Sequence, residues 1–309
     1  MDEIYVSNLP FVRSKNDINR MFLYMCVALM VPAVYGFLFF GVKVITIVLT
    51  SVVSCFVFEV LYNLIKFKKF KIEDLSFFVT GLVLALTMPE KVPLYVVVAS
   101  AFFAIFVVKL VFGGLGLNKF NPANAGRCFA GVVSSGFLGE FFNILINGEE
   151  FTSLASGGTN TLQNLIAGQA VGGIGTTCIL VIIICFIFLT YTGVIDFKIP
   201  IISVIAYFVT ANLLVGFEPA VQNLMSGSFL FVAVFMMTDP NTSPDGFFSK
   251  VVYSVLFGGL SALVWNLGGL GENTVFVVAL FVNILAPIMD KYFIIRPMTL
   301  GGYRNAHKN

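Results

Sequence analysis

Ser156-Gly157-Gly158-Thr159-Asn160-Thr161 gathers two threonine hydroxyls among small residues, inside a stretch from Gly139 to Gly175 that holds neither Lys nor Arg. Small residues let a backbone approach a bulky planar or phosphorylated ligand closely, and a threonine hydroxyl among them can hydrogen-bond a phosphate or be esterified by one. The same composition also suits a flexible loop.

Three other constellations could carry chemistry. Phe112-Gly113-Gly114-Leu115-Gly116-Leu117-Asn118-Lys119-Phe120-Asn121-Pro122-Ala123-Asn124-Ala125-Gly126-Arg127 joins two apolar segments. Pro122 stands where a first-turn helix residue belongs, so a helix N-terminus, Asn121, Asn124 and Arg127 together offer donors to an anion or a ring carbonyl. An arginine this close to a membrane is a functional candidate, and its competing reading is snorkelling from the cytoplasmic end of a span. Met236-Met237-Thr238-Asp239-Pro240-Asn241-Thr242-Ser243-Pro244 is a second polar loop, in which Asp239 would either hold a turn or line a cavity, while Pro240 and Pro244 stiffen the chain. Glu59 lies inside an apolar segment near Cys55, Tyr62 and Asn63, where it would stay neutral, pair with Lys109, or serve a proton or sodium path. Pairing is favoured, because no second acidic residue stands inside a neighbouring span. The 5 cysteines form no C-x-x-C pair and His307 lies in the tail, which supports neither a metal site nor a disulfide framework. Cys178 and Cys185, seven apart on one helix face, read as packing residues.

The elements that must position these residues are membrane helices. Of 309 residues 58% are hydrophobic and 11% charged, far below the roughly 25% charged usage of soluble domains, and the mean hydropathy is +0.97. Residues 1–20 are polar, carry Arg13, Lys15 and Arg20, and do not resemble a cleaved signal. Ten apolar candidate spans follow, approximately 21–40, 43–65, 76–88, 92–112, 122–138, 176–195, 199–216, 219–237, 251–269 and 274–294. The third and fifth are short or glycine-interrupted, as in broken helices that line protein or water. With the N-terminus in the cytoplasm, Lys66, Lys68, Lys69, Lys71, Lys119, Lys198, Lys250 and the tail residues Lys291, Arg296, Arg304 and Lys308 all face inward, while Lys43 and Lys91 face out. The positive-inside rule therefore puts residues 139–175 on the outer face. Five spans on either side of that loop enter the membrane in opposite senses, the logic of an inverted repeat. The expected fold is an all-α integral membrane protein of two inverted five-helix halves with short or broken helices. On architecture alone it would suit a channel or secondary transporter as well as an electron carrier.

Gly113-Gly114-Leu115-Gly116-Leu117-Asn118, Phe120-Asn121-Pro122-Ala123 and Met237-Thr238-Asp239-Pro240-Asn241-Thr242-Ser243-Pro244 resemble the G-G-L-G-x-N-x-x-N-P-A and A-T-D-P-V-T-S-P segments of the NqrB/RnfD family. Asn283-Ile-Leu-Ala-Pro287-Ile-Met-Asp290-Lys-Tyr292 is similar to that family's last span. These are membrane subunits of ion-pumping flavin respiratory complexes. The length, without a long N-terminal extension, is closer to the RnfD branch, from Rnf-type complexes, than to the NqrB branch, from the sodium-pumping NADH:quinone reductase.

The resemblance implies FMN held by a phosphoester to the last threonine of an S-G-A-T motif in an outer loop. It also implies electron transfer that couples ferredoxin and NAD to sodium or proton movement. Ser156-Gly157-Gly158-Thr159 matches the motif with Gly158 in place of alanine. The family continues with Pro-Leu, whereas Asn160-Thr161-Leu162 follows here, which leaves Thr159 as the attachment residue by position and Thr161 as its substitute. Asn160, Gln163 and Asn164 would then donate hydrogen bonds around the flavin. Asn121, Asn124, Arg127 and Asp239 would shape a second, noncovalent flavin site, for which the family suggests riboflavin, or a central cavity. A chain that kept the scaffold and lost its flavin is a third reading, prompted by Gly158 and the shifted Leu162. The implied partners are the other Rnf membrane subunits, the FMN-bearing RnfG, the soluble RnfB and RnfC, and a flavin transferase. The implied setting is a bacterial or archaeal cytoplasmic membrane with both termini inside. On this reading residues 1–20 and 295–309 are cytoplasmic, 21–138 and 176–294 are the two halves, and 139–175 is the flavin-bearing outer loop.

Overall fold

A computed structural model describes residues 18–68, 75–111, 114, 118, 120–134, 172–225, 228–268 and 273–293. Every regular element among them is helical. In chain order these are α1 (Ile18–Phe40), α2 (Val42–Phe67), α3 (Ser76–Thr87), α4 (Leu94–Phe102, continued by a π-helical stretch, Phe103–Leu110) and α5 (Pro122–Ser134). There follow α6 (Ile179–Tyr191), α7 (Lys198–Val215), α8 (Phe217–Met225), α9 (Phe229–Phe231, continued by a π-helical stretch, Val232–Met236), α10 (Phe247–Gly268) and α11 (Asn273–Phe293). Such a chain has little choice, since apolar surroundings offer backbone groups no water and a helix satisfies them within one segment.

Where they are described, all ten apolar segments contain helix, but they are not ten equivalent spans. Among the described residues five helices, α1, α2, α7, α10 and α11, are long and apolar enough to cross a membrane, and a sixth span results if α8 and α9, bent by 61°, are counted as one. The 23 residues of α1 reach about 35 Å, against a hydrocarbon core of about 30 Å. The 12 residues of α3 reach only about 18 Å. Pro89 stops α3, because the residue before a proline leaves the α region and the proline gives no N–H.

The outward faces are lipid-like: α2 alone exposes Val42, Ile45, Leu49, Val53, Val57, Leu61, Leu64 and Ile65. Helices meet through small residues instead. A Cβ on Gly258 of α10 would strike the Ser203 carbonyl of α7, one on Gly81 of α3 would stand 2.9 Å from Val52 Cα of α2, and one on Gly126 of α5 would stand 2.9 Å from the Ser100 carbonyl of α4.

The buried end of α3 organises the centre. Its last carbonyls would be orphans in hydrocarbon, yet Leu86 O accepts Gly175 N at 2.7 Å, Thr87 O accepts Arg127 Nε at 2.9 Å and Met88 O accepts Ile174 N at 2.8 Å. The chain descending from the 139–175 stretch is thereby stitched to α3. Its Ile174 side chain lies where any side chain at Gly36 of α1 would have to go, since a Cβ there would stand 2.6 Å from Ile174 Cγ2.

Candidate functional site

A cavity of about 130 Å³ opens among α1, α3, the end of the π-helical stretch after α4, the start of α5 and the turn after α9. A water needs only about 10–15 Å³ on this scale, so the space holds about ten waters or a fused-ring molecule of comparable volume. Ser76, Val79, Thr80 and Val83 line it, a spacing that places them on one face of α3. Met21, Phe22 and Met25 of α1 and Phe235 supply apolar wall, and Asn118, Asn121, Lys109, Asp239 and Asn241 supply the polar groups.

Asn121 does two jobs. Its Oδ1 accepts the Asn124 backbone N–H at 3.2 Å, which caps α5 at its third residue while Pro122 takes the first helical position. Its Nδ2 reaches across 118 residues of sequence to Asp239 Oδ2 at 3.2 Å, and to the Met236 carbonyl at 3.4 Å. Asp239 in turn accepts the Asn241 backbone N–H at 3.2 Å and its amide at 3.3 Å through Oδ1, a side-chain turn of the kind Asp favours. So Asp239 both holds its turn and lines the cavity. Burial pushes its carboxyl above the usual range, and the Asn241 hydrogen bonds only partly offset this.

Glu59 pairs with Lys109, as the pairing reading anticipated: Nζ lies 2.8 Å from Oε1 and 2.7 Å from Oε2. Both residues are buried. The backbone at Lys109 is pinned where the π-helical stretch ends. There Tyr62 OH donates to Leu110 O at 2.9 Å and the Asn118 amide, with its nitrogen turned inward, donates to Lys109 O at 3.0 Å.

Asn121 and Asp239 line the cavity, whereas α5 carries Asn124 and Arg127 onward against α11. Asn124 Nδ2 donates to Phe276 O at 3.2 Å. Arg127 does not snorkel, for it is 1% exposed. Its Nε holds Thr87 O, its Nη1 reaches Asn273 Oδ1 at 3.1 Å, and its guanidinium lies 4.7 Å from the Phe276 ring centre. The C-terminal carbonyls of α3 and the ring face compensate a cation there. Cys178 and Cys185 are buried packing residues, and Cys185 Sγ lies 3.2 Å from Ala28 O.

Several positions had no contact assigned to them from the sequence. Tyr253 OH donates to Asn283 Oδ1 at 2.5 Å between α10 and α11, and Asp290 accepts the Asp245 and Gly246 backbone N–H groups at 3.0 and 3.1 Å, tying the start of α10 to α11. The signal was a polar residue inside an apolar span, for Asn283, and a Ser76-x-x-x-Thr80 spacing of one helical turn, for the cavity face. Ser156, Gly157, Gly158, Thr159, Asn160 and Thr161 lie outside the described residues.

A family model described as the NQR2, RnfD, RnfE family matches residues 5–299. The D subunit of the proton-translocating ferredoxin:NAD(+) oxidoreductase complex of Clostridium ljungdahlii is 27% identical over 312 residues, covering 93% of each chain. The D subunit of the Na(+)-translocating ferredoxin:NAD(+) oxidoreductase complex of Acetobacterium woodii is 28% identical over 298 residues, covering 93% of this chain and 92% of its own. The D subunit of the ion-translocating oxidoreductase complex of Stutzerimonas stutzeri is 27% identical, with 94% of each chain covered.

Proposed function

Because the chain belongs to the NQR2, RnfD, RnfE family, we propose that it is the RnfD component of an ion-translocating ferredoxin:NAD(+) oxidoreductase complex and carries electrons within that complex, not catalytic by itself. The observation that carries this reading is the end-to-end match with relatives so named, over 93% of both chains. Its partners are then the other membrane subunits, the FMN-bearing RnfG and the soluble RnfB and RnfC. Its setting is a cytoplasmic membrane, with residues 139–175 outside. The two halves are inverted repeats on this reading. In support, similarly spaced prolines follow α3 and the stretch after α9, as Thr87-Met88-Pro89 with Pro93 and as Thr238-Asp239-Pro240 with Pro244.

FMN is attached to Thr159 through a phosphoester, with Thr161 as the substitute residue, and Ser156, Gly157, Gly158 and Asn160 surround it. A second, noncovalent flavin occupies the cavity. The amide oxygens of Asn118 and Asn121 and the hydroxyls of Ser76 and Thr80 suit a ring edge and a polyol, and the apolar face of Met21, Phe22 and Phe235 suits the ring plane. The ammonium in that wall, Lys109, is already held by Glu59, which disfavours a phosphate and points to riboflavin. A bound isoalloxazine supplies the one-electron chemistry that side chains do not. The chain's own residues orient the ring, exclude water and set the local field.

The test is mass spectrometry of the peptide from Glu150 to Gln169, together with ultraviolet in-gel fluorescence of the denatured chain expressed with a flavin transferase. An FMN mass shift lost in Thr159→Ala supports the assignment, and a shift lost only in Thr161→Ala moves it two residues. Colourless protein overturns the covalent flavin and favours a channel or secondary transporter without one.

A further inference from the structure

Lys109 stands between the cavity and a carboxylate outside the cavity wall. Its Nζ bonds Glu59 Oε1 at 2.8 Å, Glu59 Oε2 at 2.7 Å and Ser76 Oγ at 2.5 Å. Lys109 and Ser76 belong to the wall and Glu59 does not, and Lys109 and Glu59 are 2% and 5% exposed. An ammonium has three donors, and these bonds engage all of them. The pair therefore presents itself to the cavity as an oriented dipole, positive end first, with the hydrogen-bond donors of its ammonium already engaged. Apolar residues of the same volume would often stabilise such a fold equally well. What they would not supply is a fixed field in a site where charges interact far more strongly than in water.

We propose that the Lys109–Glu59 pair sets the reduction potential of the flavin in the cavity: Lys109 favours the reduced form and Glu59 limits that preference. This rests on the cavity reading above. One electron, delivered from a neighbouring member of the complex, adds one negative charge to a neutral ring unless a proton follows. Lys109 offsets that charge through space, and Glu59 behind it reduces the offset. Both are positioning residues here; neither is asked to touch the reacting atoms or to transfer a proton.

The opposite signs make the test. The intact complex is titrated with dithionite and followed by its visible spectrum, and the flavin released on later denaturation is told apart from any that stays attached. Lys109→Gln is expected to lower the potential of the releasable flavin and Glu59→Gln to raise it. Each shift should be at least tenfold in the reduction equilibrium, about 59 mV for one electron. The double variant, again neutral overall, should return close to the wild type, and Lys109→Arg should keep the wild-type value. A pair that only holds the helices together would lose flavin in both single variants, move both potentials alike, and show no recovery in the double; that result overturns the inference. If Lys109→Gln does not assemble, the upward shift in Glu59→Gln and the constancy of Lys109→Arg decide it. A complex with no releasable flavin overturns the cavity reading and this inference together. Releasable flavin whose potential ignores both substitutions overturns the inference alone.

Discussion

Asn121 joins a helix cap to a cavity wall, so its substitution separates two contributions. Asn121→Ala removes the oxygen that accepts the Asn124 N–H at 3.2 Å, a loss of about 1 kcal/mol for a cap of this kind. It also leaves Asp239 Oδ2 without its amide donor at 3.2 Å. Asn121→Asp keeps the cap acceptor but sets a second carboxyl beside Asp239, whose own carboxyl burial already pushes upward. Thermal unfolding in detergent should show Asn121→Ala lowered at every pH. Asn121→Asp should be lowered at neutral pH and recover on acidification, when one of the two carboxyls takes a proton. Equal pH dependence of the two variants would contradict the direct Asn121–Asp239 contact.

At the scale of elements, short α3 is held by what satisfies its C-terminal carbonyls. Gly173 passes so close that a Cβ would stand 2.6 Å from Thr87 C and 2.5 Å from Thr87 O, the oxygen that Arg127 also holds. Gly173→Ala should therefore destabilise the protein by about 1–3 kcal/mol, the usual cost of forcing extra volume into a packed site, and should increase protease cleavage around residue 172. Gly131→Ala is the control. There the nearest atom would lie at 3.6 Å, and alanine is the better helix former. If both substitutions behave alike, the stitched stem does not hold α3.

For the whole molecule, the Lys and Arg asymmetry of the sequence predicts that Glu149 and Glu150 lie on the opposite side of the membrane from Asp245. Single cysteines placed at those positions in an otherwise cysteine-free chain should react differently with an impermeant maleimide. Glu149→Cys should label in intact cells, and Asp245→Cys only in inverted vesicles or after permeabilisation. Labelling of both from one side would break the inverted pairing of the halves. Independently of side, the Asp245–Gly246 backbone is fastened to Asp290, and Lys250 holds Asp196 at 2.9 Å. The turns at this end of α7, α10 and α11 are thus tied to one another.

The sequence by itself determined that this is a helical membrane protein, where its helices lie and to which family it belongs. Helix formation in an apolar setting is local: hydropathy, prolines and glycines mark its beginnings and ends without reference to distant residues. Pro122 as the first residue of α5 and Pro89 just past α3 were legible for that reason. So was the pairing of Glu59 with Lys109, since a buried carboxylate needs a partner and few cations stood near. Tertiary structure alone decided which polar groups meet. Asn121 and Asn124 sit three residues apart at the start of α5, yet one turns to Asp239 and the other to Phe276 O. Arg127 directs its charge to the end of α3 and not to the cavity. Helices apolar on every face carry no pattern that says which side packs inward. That choice rests on close contacts at small residues such as Gly81, Gly126 and Gly258, and these become visible only when the helices are set against one another.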